Sequence, residues 1–374
     1  MTTQRSTTRL LFPLFILLSL LSMPTALRAA EGYQLDTVAE DLDFPWSISF
    51  LPNGDRLVTE LSGQLRRLSA DGTVGEPISG VPEVYFAGQG GLFDALPDSD
   101  FASNQWLFLS YAAGDQDNNG TTIARAKLVD NSLQELTVIY TVAPQKYAPM
   151  HYGGRLAWLG DTLLLTTGDG FDFREQAQNL NNQMGKTIRL NKDGSPAADN
   201  PFADNPYVWT YGHRNAQGLV VSNNQTVYLH EHGPRGGDEV NVLAPGKNYG
   251  WPAITYGLDY NGAYVSPFTE QPGMEQPAHV WVPSIAPSGL MVYEGEMFPQ
   301  WQGDLFIGAL VDNEVRRLEM QGSEVLSEEA LFSEIGARIR DVRQAPDGSI
   351  YIVTDGPEGD IIRVSATMDV ADRN

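Results

Sequence analysis

His151 stands in Met150-His-Tyr-Gly-Gly-Arg155, an imidazole followed almost at once by two glycines. Histidine is the side chain whose ordinary titration range lets it take a proton near neutral pH, and glycines behind it let a ligand approach the backbone. A second glycine-bounded polar cluster, Gly212-His-Arg-Asn-Ala-Gln-Gly218, offers Arg214 and Asn215 as a cation and an amide. Arg338 and Arg340 alternate in Ala-Arg-Ile-Arg-Asp341, so on a strand they share one face. Two guanidiniums on one face suit a planar anion with several carboxylates; a solvated strand edge is the other reading of the same pair.

The stretch from His232 to Pro252 carries five Gly and three Pro around the acidic pair Asp238–Glu239, and ends in Tyr249, Gly250 and Trp251. That density of glycine and proline makes an irregular loop whose carbonyls do not pair in a ladder. Fixed carbonyls with carboxylates close behind suit a hard cation such as calcium, which takes six to eight oxygens. A long structural loop that packs a tryptophan is the alternative. His230 and His232 share a strand face, but no further His or Cys stands near them to complete a zinc site. Asp115-Gln-Asp-Asn-Asn-Gly120 imitates the start of an EF-hand loop; Ala126 stands where its bidentate Glu belongs, so a hairpin loop is expected.

These residues need a scaffold, and the scaffold reads as all-β. Short runs of β-branched and aromatic residues recur between Gly, Pro, Asn and Asp, and helical periodicity is hard to find. The runs also repeat. Ile48–Thr59 with its Pro-Asn-Gly turn precedes Gly63–Leu68, and Val342–Thr354 with Pro-Asp-Gly precedes Gly359–Val364. Weaker copies surround Leu92–Tyr111, Leu156–Thr167, Gly218–His230 and Gly289–Leu318. Some six copies at this period predict a six-bladed β-propeller of four-stranded antiparallel blades, with a β-sandwich array as the alternative. In a propeller, residues distant in sequence converge on the central channel.

Composition bounds the rest. Arg5 and Arg9 precede an apolar run from Leu10 to Leu21 and small residues up to Ala29 and Ala30, which reads as a secretory signal over 1–30 cleaved near Ala29 or Ala30. The run is too short to span a bilayer, so stable membrane insertion after cleavage is not expected. One domain is expected over 31–374. The chain has no Cys, which excludes disulfides and lipoprotein attachment. Its net charge is −23; the leader carries three Arg and no acid, so the mature chain stands at −26. Such a charge argues against nucleic acid or an anionic membrane as partner.

Taken together the segments resemble the soluble quinoprotein sugar dehydrogenases, the glucose/sorbosone dehydrogenase family, and especially its aldose sugar dehydrogenase branch. The resemblance runs from Phe44-Pro-Trp-Ser-Ile48 to Asp360-Ile-Ile-Arg-Val364, with motifs in family order. These are Gly88-Gln-Gly-Gly-Leu92, the His151 and Arg214 segments, Gly185-Lys186 with Arg189–Gly194, the 232–252 loop, and Arg338-Ile-Arg-Asp-Val342. The resemblance implies pyrroloquinoline quinone (PQQ) and Ca2+ as cofactors and oxidation of aldose sugars at C1 to lactones. It implies that His151 is the general base, while Gln89, Arg214 and Asn215 contact the quinone oxygens and substrate. Arg338 and Arg340 would meet the PQQ carboxylates, the carbonyls of Gly233 and Pro234 would hold the cofactor calcium, and Glu239 and Tyr249 a second, structural calcium. It further implies a periplasmic or secreted enzyme that passes electrons to an external acceptor, a cytochrome or a quinone; the acidic charge suits a basic cytochrome. Two departures stand out: Met150 replaces the family's sugar-binding Asp, and a cofactor-binding Lys is missing near Val311. A non-catalytic propeller that has lost its cofactor, or a metal-dependent lactonase, are the alternatives.

Overall fold

A computed structural model describes residues 1–2 and 32–367, so the expected leader and its cleavage site lie outside the described residues. From Tyr33 onward the chain is a six-bladed β-propeller. Strand β1 (Tyr33–Leu42) comes first, followed by a three-stranded blade of β2 (Pro45–Phe50), β3 (Arg56–Glu60) and β4 (Gln64–Leu68). Blade 2 is β5 (Leu92–Pro97), β6 (Trp106–Gly114), β7 (Asn119–Val129) and β8 (Ser132–Thr141). Blade 3 is β9 (Gly153–Leu159), β10 (Thr162–Thr167), β11 (Lys186–Leu190) and β12 (Val208–Tyr211). Blade 4 is β13 (Ala216–Val221), β14 (Val227–Glu231), β15 (Asp238–Leu243) and β16 (His279–Trp281). Blade 5 is β17 (Pro287–Val292), β18 (Leu305–Ala309), β19 (Glu314–Gln321) and β20 (Glu324–Leu331). In blade 6, β21 (Ile339–Gln344), β22 (Ile350–Thr354) and β23 (Gly359–Ala366) are completed by β1, which pairs antiparallel with β23 from Tyr33↔Ala366 to Leu42↔Gly359. The beginning and the end of the domain are thus hydrogen-bonded into one sheet, which closes the ring.

Each predicted repeat becomes the first three strands of a blade. In the first, the Leu51 N–H donates to the Asp55 carbonyl, and Asn53 Oδ1 accepts the Asp55 N–H, so the Pro-Asn-Gly segment turns tightly from β2 into β3. Alternation along the strands buries apolar residues between neighbouring blades. Leu57 and Leu65 of blade 1 pack with Leu92, Leu107 and Leu109 of blade 2, and Ile48 and Val58 pack with Tyr351, Val353 and Ile361 of blade 6. Burial of each such side chain is worth about 1.5–3 kcal/mol, so blade stacking around the ring holds the disc together. Around the channel the contacts are polar. Arg155 is 1 % exposed, meets Asp341 at 3.1 Å and lies 4.0 Å over the Trp46 ring, tying blade 3 to blades 6 and 1.

Antiparallel order sends the starts of β5, β9 and β13 and the β10–β11, β14–β15 and β16–β17 connections to the same mouth of the disc. His151, Arg214 and the 232–252 loop therefore meet there. The Asp115–Gly120 segment is a hairpin between β6 and β7 in which Asp115 Oδ1 accepts the N–H groups of Asp117 and Asn118 at 2.9 Å. Among the described residues no helix is long and apolar enough to cross a membrane.

Candidate active site

His151 precedes β9 and adopts φ +51°, a left-handed conformation that costs energy in a non-glycine residue and marks places where geometry is imposed. Three contacts impose it. Its N–H donates to Gln89 Oε1 at 2.7 Å, and the Gly153 N–H donates to Asn215 Oδ1 at 3.3 Å. On the other side the backbone of Gly168 presses against it: a Cβ there would lie 2.0 Å from the His151 carbonyl oxygen, so only glycine fits. Gln89 and Asn215, expected to touch cofactor or substrate, thus have their side-chain oxygens engaged in shaping the His151 turn.

The close approach of Gly168 delivers Asp169. Its Oδ1 lies 2.6 Å from His151 Nδ1 and accepts the Phe171 N–H at 2.8 Å, while Oδ2 accepts Trp251 Nε1–H at 2.7 Å. Both dyad partners are buried. With Nδ1 held by Asp169, Nε2 is the ring nitrogen left to serve the cavity. Burial lowers the His151 pKa below its ordinary value; Asp169 pulls it back up, and the charges of Arg214 and Lys146 push it down again. The net direction favours a neutral imidazole, the form that accepts a proton.

Arg214 stands across from this pair. Its Nη1 donates to the carbonyls of His232 (3.1 Å) and Gly233 (2.7 Å), and Nη2 donates to Tyr260 Oη at 3.2 Å. Its guanidinium centre is 5.3 Å from the Trp251 ring. A cavity of about 290 Å³ opens between His151, Asp169, Phe171, Arg214, Pro234, Trp251 and Tyr260, and Asp172, Arg174 and Asp259 line it as well. Arg174 and Asp259 pair at 3.2 Å, linking two of the loops that bound it. Beyond Pro234 and Tyr260 a larger groove, about 820 Å³, runs along His232–Gly236 and Val282–Ser284.

A small space opens against the 232–252 loop. Glu231, Glu239, Gly233, Tyr249 and Thr255 surround a space of about 10 Å³, the size of a single ion or water. Asn241 Nδ2 donates to Glu231 Oε1 and Glu239 Oε2, both at 3.5 Å, while burial and then the Glu231 charge raise Glu239 well above the usual carboxylate range. Glu231 itself is engaged by His213 Nδ1 at 2.8 Å and by the Arg214 N–H. Two carboxylates and nearby carbonyls are oxygens of the kind that calcium takes. Among the described residues no group of three or more His, Cys, Asp or Glu side chains converges as a metal site, so carbonyls would have to complete the shell. The Gly233 carbonyl, expected on the cofactor calcium, accepts from Arg214 here.

Arg338 and Arg340 share a face of β21 and its lead-in, and both bind Asp355, at 2.9 Å and 2.7 Å. Arg338 is half exposed and also caps the Leu310 carbonyl, next to exposed Val311. Neither arginine lines the His151 cavity. His230 and His232 point at blade 5, where their Nε2 atoms meet the carbonyls of Gly289 (3.2 Å) and Pro287 (2.6 Å). Asp169, Trp251 and Tyr260 had no role in the site as read from the sequence. Asp169 had a signal: Gly168-Asp-Gly170 is one more polar residue between glycines at a strand end. Trp251 stood out only as the tryptophan that the loop packs, and Tyr260 had no signal.

The chain as a whole is similar to known proteins. A family model described as Glucose / Sorbosone dehydrogenase matches residues 42–363. The aldose sugar dehydrogenase YliI of Escherichia coli (strain K12) is 38% identical over 363 residues, covering 94% of this chain and 98% of that protein. A solved glucose dehydrogenase superposes with TM-score 0.87 at 40% identity, covering 89% of this chain and 100% of that one. The PQQ-bound form of an aldose sugar dehydrogenase from Streptomyces coelicolor gives TM-score 0.76 at 26% identity, covering 90% and 99%.

Proposed function

This chain belongs to the glucose/sorbosone dehydrogenase family, and from that premise we propose that it is a PQQ-dependent dehydrogenase oxidising aldose sugars at C1 to lactones. The observation that carries the reading is the buried His151–Asp169 pair facing Arg214 across one cavity. When bound, PQQ supplies the two-electron oxidant, an ortho-quinone that accepts hydride. The chain supplies the rest. His151 Nε2 takes the proton of the anomeric hydroxyl, and Asp169 holds the Nδ1–H tautomer and offsets the positive charge that the ring acquires. Arg214 puts a fixed positive charge where negative charge develops. Gln89 and Asn215 hold the His151 turn, so they act on the base as well as on any ligand above it.

The carbonyls and carboxylates of the 232–252 loop support a calcium-held cofactor, with the arginine pair as its anion partner. Arg338 and Arg340 would hold the PQQ carboxylates in competition with Asp355, the carbonyls of Gly233 and Pro234 would hold the cofactor calcium, and Glu239 and Tyr249 would hold the second Ca2+. The leader expected over 1–30 would export the enzyme to the periplasm or beyond, where a cytochrome or quinone takes the electrons. One observation favours a second reading, a propeller that no longer binds quinone: Arg338 and Arg340 already share Asp355, and exposed Val311 stands where a lysine was expected.

Titration of the purified protein with PQQ and calcium separates the two. The first reading expects a bound-quinone absorption that glucose or another aldose bleaches. Absence of binding at micromolar PQQ retires it in favour of the second.

A further inference from the structure

Lys146 is a buried charge that the reaction above leaves unused. It lies between β8 and β9, five residues ahead of His151, and is 6% exposed. Its ammonium donates to Asn119 Oδ1 at 3.1 Å and to the Ala148 carbonyl, and stands 3.6 Å over the Tyr152 ring. Its backbone exchanges hydrogen bonds with Asn119 at 2.7 and 2.8 Å. Its stem rests on the loop that carries Asp169: a Cβ on Gly170 would come within 2.7 Å of Lys146 Cδ. One side chain thus touches the β6–β7 hairpin, residues on both sides of His151, and the residue after Asp169.

Among the described residues, oxygens of carbonyl and amide groups receive this ammonium, with no carboxylate at ion-pair distance. Burial pushes its pKa down to about 7, against the pull of Asp169, so the charge is costly where it stands. A methionine would fill the same space without that cost. The imidazole's other charged or titratable neighbours come from several elements. Asp169, Asp172 and Arg174 lie between β10 and β11, Arg214 precedes β13, His232 follows β14, and Asp259 and Tyr260 lie between β15 and β16. Asp169 favours the imidazolium; Arg214 and Lys146 oppose it.

We propose that Lys146 is a positioning residue for the His151–Asp169 pair, tying the two segments together and, while it is charged, opposing protonation of the imidazole so that the ring stays ready to accept a proton. The inference rests on His151 being the base. Arg214 lines the cavity where negative charge develops, whereas Lys146 is held by Asn119 and Ala148 and does not line it. In the acid range where His151 titrates, Lys146 is charged, so it acts where it is needed. After proton uptake the same charge helps expel the proton.

The test is histidine-selective 15N NMR titration of the mature chain, with the His151 signals assigned by their loss in His151→Gln. In Lys146→Met the His151 midpoint moves to higher pH; in Lys146→Arg it stays near wild type. The acid limb of kcat/KM for aldose oxidation moves the same way, so activity at acid pH falls by about threefold or more relative to alkaline pH. An unchanged or lower midpoint in Lys146→Met overturns the proposal, whatever the loss in thermal stability. Should Lys146→Met fail to fold, Asn119→Asp sets a carboxylate against the ammonium and must raise the midpoint too; no rise there is equally decisive against it. The NMR result needs no quinone, so it stands apart from failure of the sugar-oxidation reading.

Discussion

Replacing Asp169 by asparagine probes the site with almost no change of shape. The carboxylate accepts three donors: His151 Nδ1 (2.6 Å) and the Phe171 N–H (2.8 Å) on Oδ1, and Trp251 Nε1–H (2.7 Å) on Oδ2. Asparagine has one acceptor oxygen, so neither amide orientation satisfies all three. With its oxygen toward His151, the amide NH2 faces the Trp251 N–H. The Nδ1–H tautomer survives, but the imidazolium loses its counter-charge, a difference of about 1–2 kcal/mol or roughly tenfold or more in rate. With the oxygen toward Trp251, the NH2 faces Nδ1 and forces the proton onto Nε2. The base is then lost, at about 10²- to 10⁴-fold. Either orientation buries an unpaired donor, a cost of about 1–3 kcal/mol that lowers the melting temperature by a few degrees without unfolding the domain. The assay is dye-linked aldose oxidation at saturating PQQ and calcium, with single-turnover mixing to isolate the chemical step. A kcat within about threefold of wild type, with the fold intact and PQQ bound, would refute the role of the dyad.

Arg340→Ala should weaken PQQ binding by about tenfold or more, since a charge-assisted hydrogen bond is worth about 1.5–3 kcal/mol, and Arg338→Ala, at the more exposed position, by less; equilibrium titration of quinone absorbance measures both. Calcium should raise the melting temperature of wild type and chelation should lower it, while Glu239→Gln should abolish most of that response. Because Glu239 is held protonated to higher pH than usual, calcium affinity should rise with pH, which isothermal titration at two pH values checks. His230, buried against the Gly289 carbonyl, has its pKa pushed down to about 3. The unfolded chain protonates this residue first, so its contribution is complete above about pH 6.5 and is lost as pH falls toward 3. At most about 5 kcal/mol is at stake, and His230→Gln should flatten the acid side of a stability–pH curve from urea melts; an unaltered slope would mean that other groups drive acid unfolding.

Much of the architecture was legible because it is written locally. A period-2 strand, a Pro-Asx-Gly turn and a second strand occupy some dozen consecutive residues, and two clear copies with four weaker ones announce a ring. His151 and Arg214 were legible for the same reason, as polar residues set between glycines at strand ends. The arginine pair was half legible: alternation put Arg338 and Arg340 on one face, but nothing local told that Asp355 would meet both. Asp169 carried a local signal that goes unread without a partner, because an aspartate between glycines is also an ordinary turn.

Chain order and composition alone therefore determined the repeat, the propeller it builds, the acidic charge and the residue types available at the mouth, since each depends on neighbours a few positions away. Only the closed ring decided which of them meet. Trp251 reaches Asp169 across 82 residues, and Arg155 joins Asp341 across 186. Burial, too, was settled there: Lys146 in Gln-Lys-Tyr reads as a surface lysine until blade 2 and the Asp169 loop close over it. The electrostatics of the His151 cavity follow from that enclosure, because desolvation and the distances between charges exist only once the blades have stacked.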